Sequence, residues 1–296
     1  MMESLIQDPY YSREEGLSET VERQDPVVWG AGDGPLSRED LDHFDREGFL
    51  IFPRRLPEDR VAALWEEAQQ VAVRERERGE DGLITEPESD VVRSVFAVHK
   101  RGPLYRDLIA APELAGVARQ LLGSEVYVHQ SRINFKPGFF GREFYWHSDF
   151  ETWHMEDGMP RMRAVSASVL LTENNEWNGP LMLIPGSHKL YVRCPGKTPK
   201  DHHRMSLKKQ EYGVPTHQVL SDLVRDHGIR SAKGPAGSVV LFDCNMMHGS
   251  AGNMTPYQRN GLFVVFNSME NRLVAPFAGT DPRPGFLGER DPVAVG

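Results

Sequence analysis

From Gly123 onward the chain breaks into short runs of β-branched and aromatic residues, separated by Gly, Pro and Asn turns. The runs are 126–135, 144–150, 164–171, 181–184, 238–242 and 261–267. Short strands at fairly even spacing, with no regular helix between them, favour a sandwich or jelly roll over a parallel βαβ sheet. Helices are expected before this region. Ser37-Arg-Glu-Asp40 opens one in capping-box style, with Asp40 in place of the usual Glu or Gln. Leu41 and Phe44 form its apolar stripe, and Gly48 ends it. A buried strand is expected at 49–52 before Pro53. A second helix starts at Pro57-Glu-Asp59, turns Leu64, Ala68 and Val71 inward, and carries Arg74, Arg76 and Arg78 late, as the helix dipole favours.

The expected organisation is therefore a polar, turn-rich N-terminal arm over 1–36 and a single mainly β domain over 37–296, with flanking helices at its start. Residues 193–235 interrupt the strand pattern with a polar stretch, read as a lid-like insertion with a short helix over 219–224. The length of 296 residues suffices for one full core. A net charge of −9 argues against nucleic acid or an anionic membrane surface as partner. No apolar run approaches the roughly 18 residues of a membrane span, and the N-terminus lacks the basic-then-apolar order of a secretory signal. Two cysteines far apart, Cys194 and Cys244, make no disulfide framework, so the expected compartment is the cytoplasm.

The chemistry centres on Phe144-Tyr-Trp-His-Ser-Asp-Phe-Glu-Thr-Trp-His154. His147-x-Asp149 offers a metal one imidazole and one carboxylate, and His248 follows a later apolar run. Two His and one carboxylate make the facial triad of non-haem Fe(II) oxygenases, which keeps positions open for co-substrate and O2. The tripeptide alone says little, because His43-Phe-Asp45 matches it and His154-Met-Glu156 matches its Glu variant. His43 and Asp45 fall in a helix, where residues two apart point about 200° apart. His154 and Glu156 fall where Asp157-Gly158 and Pro160 break regular structure. His147 and Asp149 fall in an aromatic strand, whose residues i and i+2 face the same way. Arg259, Gly261, Phe263 and Val265 share one face of another strand. A buried arginine there needs an anionic partner, and a carboxylate of 2-oxoglutarate suits its fork, with Ser250 adding a hydroxyl. Gln130, Arg132, Asn134 and Lys136 form a wholly polar strand face. It either meets solvent or lines a cavity, with Gln130 at substrate and Asn134 or Lys136 at co-substrate. Read from residues alone, the cluster serves either an oxidising enzyme or a binding module with a structural metal. A structural zinc site is closed by four ligands, however, and the triad supplies three.

The order His147-x-Asp149, Asn178-Gly-Pro-Leu-Met-Leu-Ile-Pro-Gly-Ser-His188, His248-x-Ser250, Arg259 resembles the phytanoyl-CoA dioxygenase family of Fe(II)- and 2-oxoglutarate-dependent enzymes on a double-stranded β-helix, the cupin-like jelly roll. Within that family, the block from Phe144 to Pro160 and Arg93-Ser-Val-Phe-Ala-Val-His99 resemble the ectoine hydroxylases. The resemblance implies hydroxylation of ectoine to 5-hydroxyectoine, a stress-protective compatible solute, with succinate and CO2 released and Fe(II), 2-oxoglutarate and O2 consumed or bound. It implies His147, Asp149 and His248 as iron ligands. It assigns Arg259, Ser250, Asn134 and Phe96 to 2-oxoglutarate, and Gln130, Thr152, Trp153, Phe242, Phe263 and Arg283 to the substrate, Arg283 at its carboxylate. It further implies a homodimer and a structural role for His188. Aromatic faces suit ectoine's delocalised amidinium, at about 0.5–2 kcal/mol per cation–π contact. Cys244 reads as a small buried residue rather than a nucleophile. A hydroxylase of another small zwitterion such as proline is the alternative within enzymes.

Overall fold

A computed structural model of the chain describes residues 8–30, 32–79, 81–86, 90–199 and 212–296. Its strands are β1 (Glu19–Glu22), β2 (Phe49–Phe52), β3 (Leu83–Thr85), β4 (Val92–Phe96), β5 (Val126–Lys136), β6 (Phe144–His147), β7 (Ala164–Leu170), β8 (Leu181–Leu183), β9 (Leu190–Arg193), β10 (Arg230–Ala232), β11 (Val239–Asp243), β12 (His248–Ser250) and β13 (Arg259–Ser268). The helices before β5 are α1 (Arg38–Glu47), α2 (Glu58–Arg78), α3 (Val98–Arg101), α4 (Pro103–Ala110) and α5 (Val117–Leu122). A seven-stranded sheet has the order β2-β11-β7-β13-β5-β4-β3, and a four-stranded sheet the order β10-β8-β12-β6. The pairings within both are antiparallel. Phe49, Val240 and Phe242 of the large sheet pack with Leu181, Leu183 and Ala232 of the small one, so the sheets face each other as a jelly roll.

The helices cover the outer face of the large sheet. Leu64, Ala68 and Val71 of α2 join Leu108 of α4, Leu121 of α5 and Ile133, Leu262 and Val264 of the sheet in one core. Each fully buried Leu or Val there contributes about 1.5–3 kcal/mol. α1 starts where expected: Ser37 accepts from the Asp40 N–H, and the Asp40 carboxylate accepts from the Ser37 N–H. Gly48 ends it in the left-handed region at φ 82°.

Two local expectations differ from the structure. The strand expected over 144–150 stops at His147, and α6 (Asp149–Thr152) follows at once, running into a π-helical turn, Trp153–Asp157. A hydrogen bond from the Phe150 N–H to the Cys244 carbonyl pulls the chain off the sheet there. The helix expected over 219–224 is longer, His217–His227, capped by the Thr216 hydroxyl. Of the 193–235 stretch, residues 200–211 lie outside the described residues, while β10 pairs with β8 in the small sheet. The 1–36 segment is more than a covering arm. Tyr10 is 1% exposed, packs with Phe150, Trp153 and Tyr191, and donates its hydroxyl to Asp25. β1 pairs with β9.

Candidate active site

His147 closes β6 and His248 opens β12, and the two are direct antiparallel partners. Their rings lie 4.3 Å apart. His147 Nδ1 is 2.6 Å from the Tyr145 carbonyl and His248 Nδ1 is 2.9 Å from the Met246 carbonyl. A carbonyl only accepts, so each Nδ1 carries the proton and each Nε2 presents a lone pair. Both Nε2 atoms look at Asp149, at 3.5 Å from Oδ1 and 3.8 Å from Oδ2. Burial alone would push the Asp149 carboxyl up, but His248 and His147 outweigh it and hold it well below the usual carboxylate range. Burial and then His147 push His248 down to about 4, so its imidazole is neutral at neutral pH. Among the described residues this is the one group of three His, Cys, Asp or Glu side chains with ligand atoms within 4.8 Å of one another. Two imidazoles and one carboxylate, converging from one side, fit Fe(II) with open positions.

His147 and Asp149 converge for a different reason than shared strand parity. Ser148 is extended at φ −103°, and Asp149 is the first residue of α6, so its carboxylate swings back from a helical turn toward the end of β6. The other two tripeptides do not converge. Asp45 pairs with Lys189, away from His43. His154 pairs with Asp8 and Glu156 with Arg13.

The polar face of β5 turns inward. Lys136 is 1% exposed, and Gln130 and Asn134 are buried. Across the ladder, Arg259 lies opposite Lys136, Gly261 opposite Asn134, Phe263 opposite Arg132 and Val265 opposite Gln130. Lys136 Nζ donates to Ser250 Oγ at 2.8 Å and to the Ala251 carbonyl at 2.6 Å. Burial first, then Arg259 and Arg93, push its amine down to about 5. A neutral amine has two N–H groups, which these two bonds use. The Nε of Arg259 is buried with no partner among the described residues, and burial together with Arg93 and Arg132 pushes its guanidinium down to about 10. The Arg132 guanidinium stands 5.8 Å from the Phe96 ring centroid and 5.4 Å from that of Phe263, and its Nε likewise lacks a described partner. Arg93 differs: it pairs with Glu86 and lies over Phe144. Asn134 accepts from the Ser94 hydroxyl.

The other end of the same face is neutral or balanced. Gln130 donates to the Leu287 carbonyl at 2.9 Å, which brings the C-terminal segment across it, and Phe286 packs 5.9 Å from Phe96. Trp153 meets His129 at 5.2 Å, and Phe242 meets His248 at 5.0 Å. Thr152 accepts from Arg13 at 3.3 Å. Arg283, expected at a substrate carboxylate, forks onto Asp157, with Nε–Oδ1 at 2.7 Å and Nη2–Oδ2 at 2.6 Å.

A model of the phytanoyl-CoA dioxygenase family matches residues 44–261. The chain belongs to that family. It is 53% identical to the ectoine dioxygenase of Bordetella bronchiseptica over 98% of this chain and 94% of the relative. It is 51% identical to that of Sphingopyxis alaskensis over 98% and 96%. Among solved structures, EctD from S. alaskensis with 2-oxoglutarate and 5-hydroxyectoine is similar at a TM-score of 0.88 and 46% identity, covering 98% of this chain and 97% of that one. The same protein with bound Fe gives 0.87 at 46%. This chain is thus an Fe(II)/2-oxoglutarate-dependent dioxygenase of the family, and the triad is its candidate metal site.

In this dioxygenase Arg132, which carried no role in the sequence-based expectations, also reaches the inward face, between Phe96 and Phe263. Its signal was present: it alternates with Gln130 and Asn134 on a strand face that proved interior. His188 is buried, with Nε2 at 3.0 Å from the Asp45 carbonyl, which ties the Pro-Gly-Ser-His turn to α1. Cys244 is fully buried, and burial followed by Asp243 raises its thiol well above the usual range, so no thiolate forms.

Proposed function

We infer that this chain hydroxylates ectoine to 5-hydroxyectoine. The observation that carries the reading is the likeness, over 98% of the chain, to a solved enzyme holding 2-oxoglutarate and 5-hydroxyectoine. His147, Asp149 and His248 would hold Fe(II), which with 2-oxoglutarate and O2 supplies the oxidant while succinate and CO2 are released. Arg259 and Ser250 bind the co-substrate's outer carboxylate, with Asn134 and Phe96 along its length. Desolvated cations without partners make this end of the cavity select a dianion. Trp153, Phe242 and Phe263 offer faces to the amidinium, and Gln130, Thr152 and Arg283 anchor the polar atoms. Arg283 spends Nε and Nη2 on Asp157, leaving Nη1 for the substrate carboxylate. Asp149 fills the third ligand position that a halide would need, which directs the chemistry to hydroxylation.

Mass spectrometry of purified protein with Fe(II), 2-oxoglutarate, O2 and ectoine should show a product 16 mass units heavier, by addition of one oxygen. Proline in place of ectoine should give none. His147→Ala should abolish ectoine-dependent succinate formation, and retained turnover would sink the triad assignment. We propose in addition a cytoplasmic homodimer, for which light scattering at a single-chain mass would be the contrary result.

A further inference from the structure

We propose that Arg13 is a positioning residue for the substrate, setting from the N-terminal segment the helical turn that carries Thr152 and Trp153. Arg13 is one of four non-glycine residues with positive φ among the described residues, at 62°, a conformation that costs energy and persists where the surroundings enforce it. Its guanidinium is buried and forks onto Glu151, Nε–Oε1 at 2.9 Å and Nη2–Oε2 at 2.8 Å. Nη1 meets Glu156 and, at 2.9 Å, the Thr198 hydroxyl. Ser12 donates to Glu151 as well, and the backbone N–H of Arg13 donates to the Cys194 carbonyl. Gly213 packs against the same pair so closely that a side chain there would strike Glu151 and Arg13.

The two carboxylates are five residues apart. In a continuing α-helix they would point about 140° away from each other. The π-helical turn Trp153–Asp157 narrows that angle, and one guanidinium reaches both. Arg13 therefore grips a shape as well as a charge. Without it, two buried carboxylates repel, and an α-helical continuation becomes the better arrangement, which would rotate Trp153 and withdraw Thr152. Glu156 also stands 3.9 Å from Arg283, so the same relaxation reaches the residue assigned to the substrate carboxylate. Asp149 is held independently, because the next residue, Phe150, is tied to Cys244 and His147 is locked in β6. The expected damage is on the substrate side of the site, not the iron side.

This inference rests on the assignment of Thr152 and Trp153 to ectoine. The test compares wild type, Arg13→Lys, Glu156→Gln and the surface control Arg225→Ala. Lysine keeps the charge but cannot fork onto Glu151 while reaching Glu156. Ectoine affinity is measured by anaerobic calorimetry on the Fe(II)- and 2-oxoglutarate-loaded enzyme, together with Fe(II) affinity, melting temperature and succinate formed per hydroxyectoine. Arg13→Lys should weaken ectoine binding by about 10- to 100-fold, and succinate should exceed hydroxyectoine, with Fe(II) affinity unchanged. A lowered melting temperature with wild-type ectoine affinity and one-to-one stoichiometry would overturn the proposal. If Arg13→Lys does not accumulate as folded protein, Glu156→Gln carries the same expectation and the same contrary result. Wild type that neither binds nor hydroxylates ectoine would refute the substrate assignment itself, which separates the two failures.

Discussion

Two pairs of arginine side chains held away from water behave oppositely. Arg13 and Arg283 each fork onto a carboxylate, Glu151 and Asp157. Burial alone would lower their pKa values, but the carboxylates outweigh it and raise both. For Arg259 and Arg132 burial wins and lowers both; Arg259 faces the cations Arg93 and Arg132, and Arg132 faces Arg93 and Arg283, while Asp149 pulls the other way without outweighing burial. Desolvation is therefore common to all four, and the partner differs. A compensated buried arginine holds the scaffold. An uncompensated one stores unfavourable energy that an anionic ligand releases on binding.

The sharpest way to break this contrast is stability without co-substrate. Arg13→Met removes the fork on buried Glu151 and the contact to Glu156 and should cost about 3–5 kcal/mol in urea unfolding. Arg259→Met should be neutral or stabilising in the same assay; equal losses in both would erase the distinction. On function the order reverses for one ligand. Arg259→Ala removes a charge-assisted fork and should raise the KM for 2-oxoglutarate by at least about 10- to 100-fold, at 1.5–3 kcal/mol for such bonds, while the ectoine KM moves little. Loss of affinity for both ligands alike would mean that the wall collapses rather than loses a contact. Phe263→Leu should weaken ectoine binding by about 0.5–2 kcal/mol if the ring faces the amidinium; an unchanged dissociation constant would assign the ring to Arg132 alone.

The smallest effect concerns protons. Lys136 falls from its usual 10.5 to about 5 in the folded chain. Between those values the unfolded chain holds more protons, so this group makes the ligand-free enzyme more stable as pH rises through that window. A dianion beside Ser250 and Arg259 restores the ammonium form. Binding of 2-oxoglutarate near pH 7.5 should therefore take up as much as about one proton. Calorimetry in two buffers of different ionisation heat measures it, and zero uptake would show that the amine stays neutral with co-substrate bound.

Most of the site was legible because strand chemistry is periodic. The alternation Gln130, Arg132, Asn134, Lys136 and the run from Arg259 to Val265 give faces directly. What alternation could not decide was which face is inside. A polar face reads as solvent until the second sheet is known to cover it, which is why Arg132 went unassigned. The reading of 144–150 as one strand failed at Ser148, because the break is made by Cys244, a residue 94 positions away from Phe150. Arg283 carried no local sign of its pairing with Asp157, 126 residues distant.

The sequence by itself determined the jelly-roll class and singled out His147, Asp149, His248 and Arg259 as candidates, since strand patterning and the chemistry of individual side chains are written locally in the chain. Only the tertiary structure decided that Asp149 reaches its histidines from a helical turn and that Arg13 meets Glu151 and Glu156. It also decided which buried cations are compensated. Those outcomes depend on contacts between residues far apart in the chain, and desolvation energies are set by what surrounds a charge, not by its neighbours along the chain.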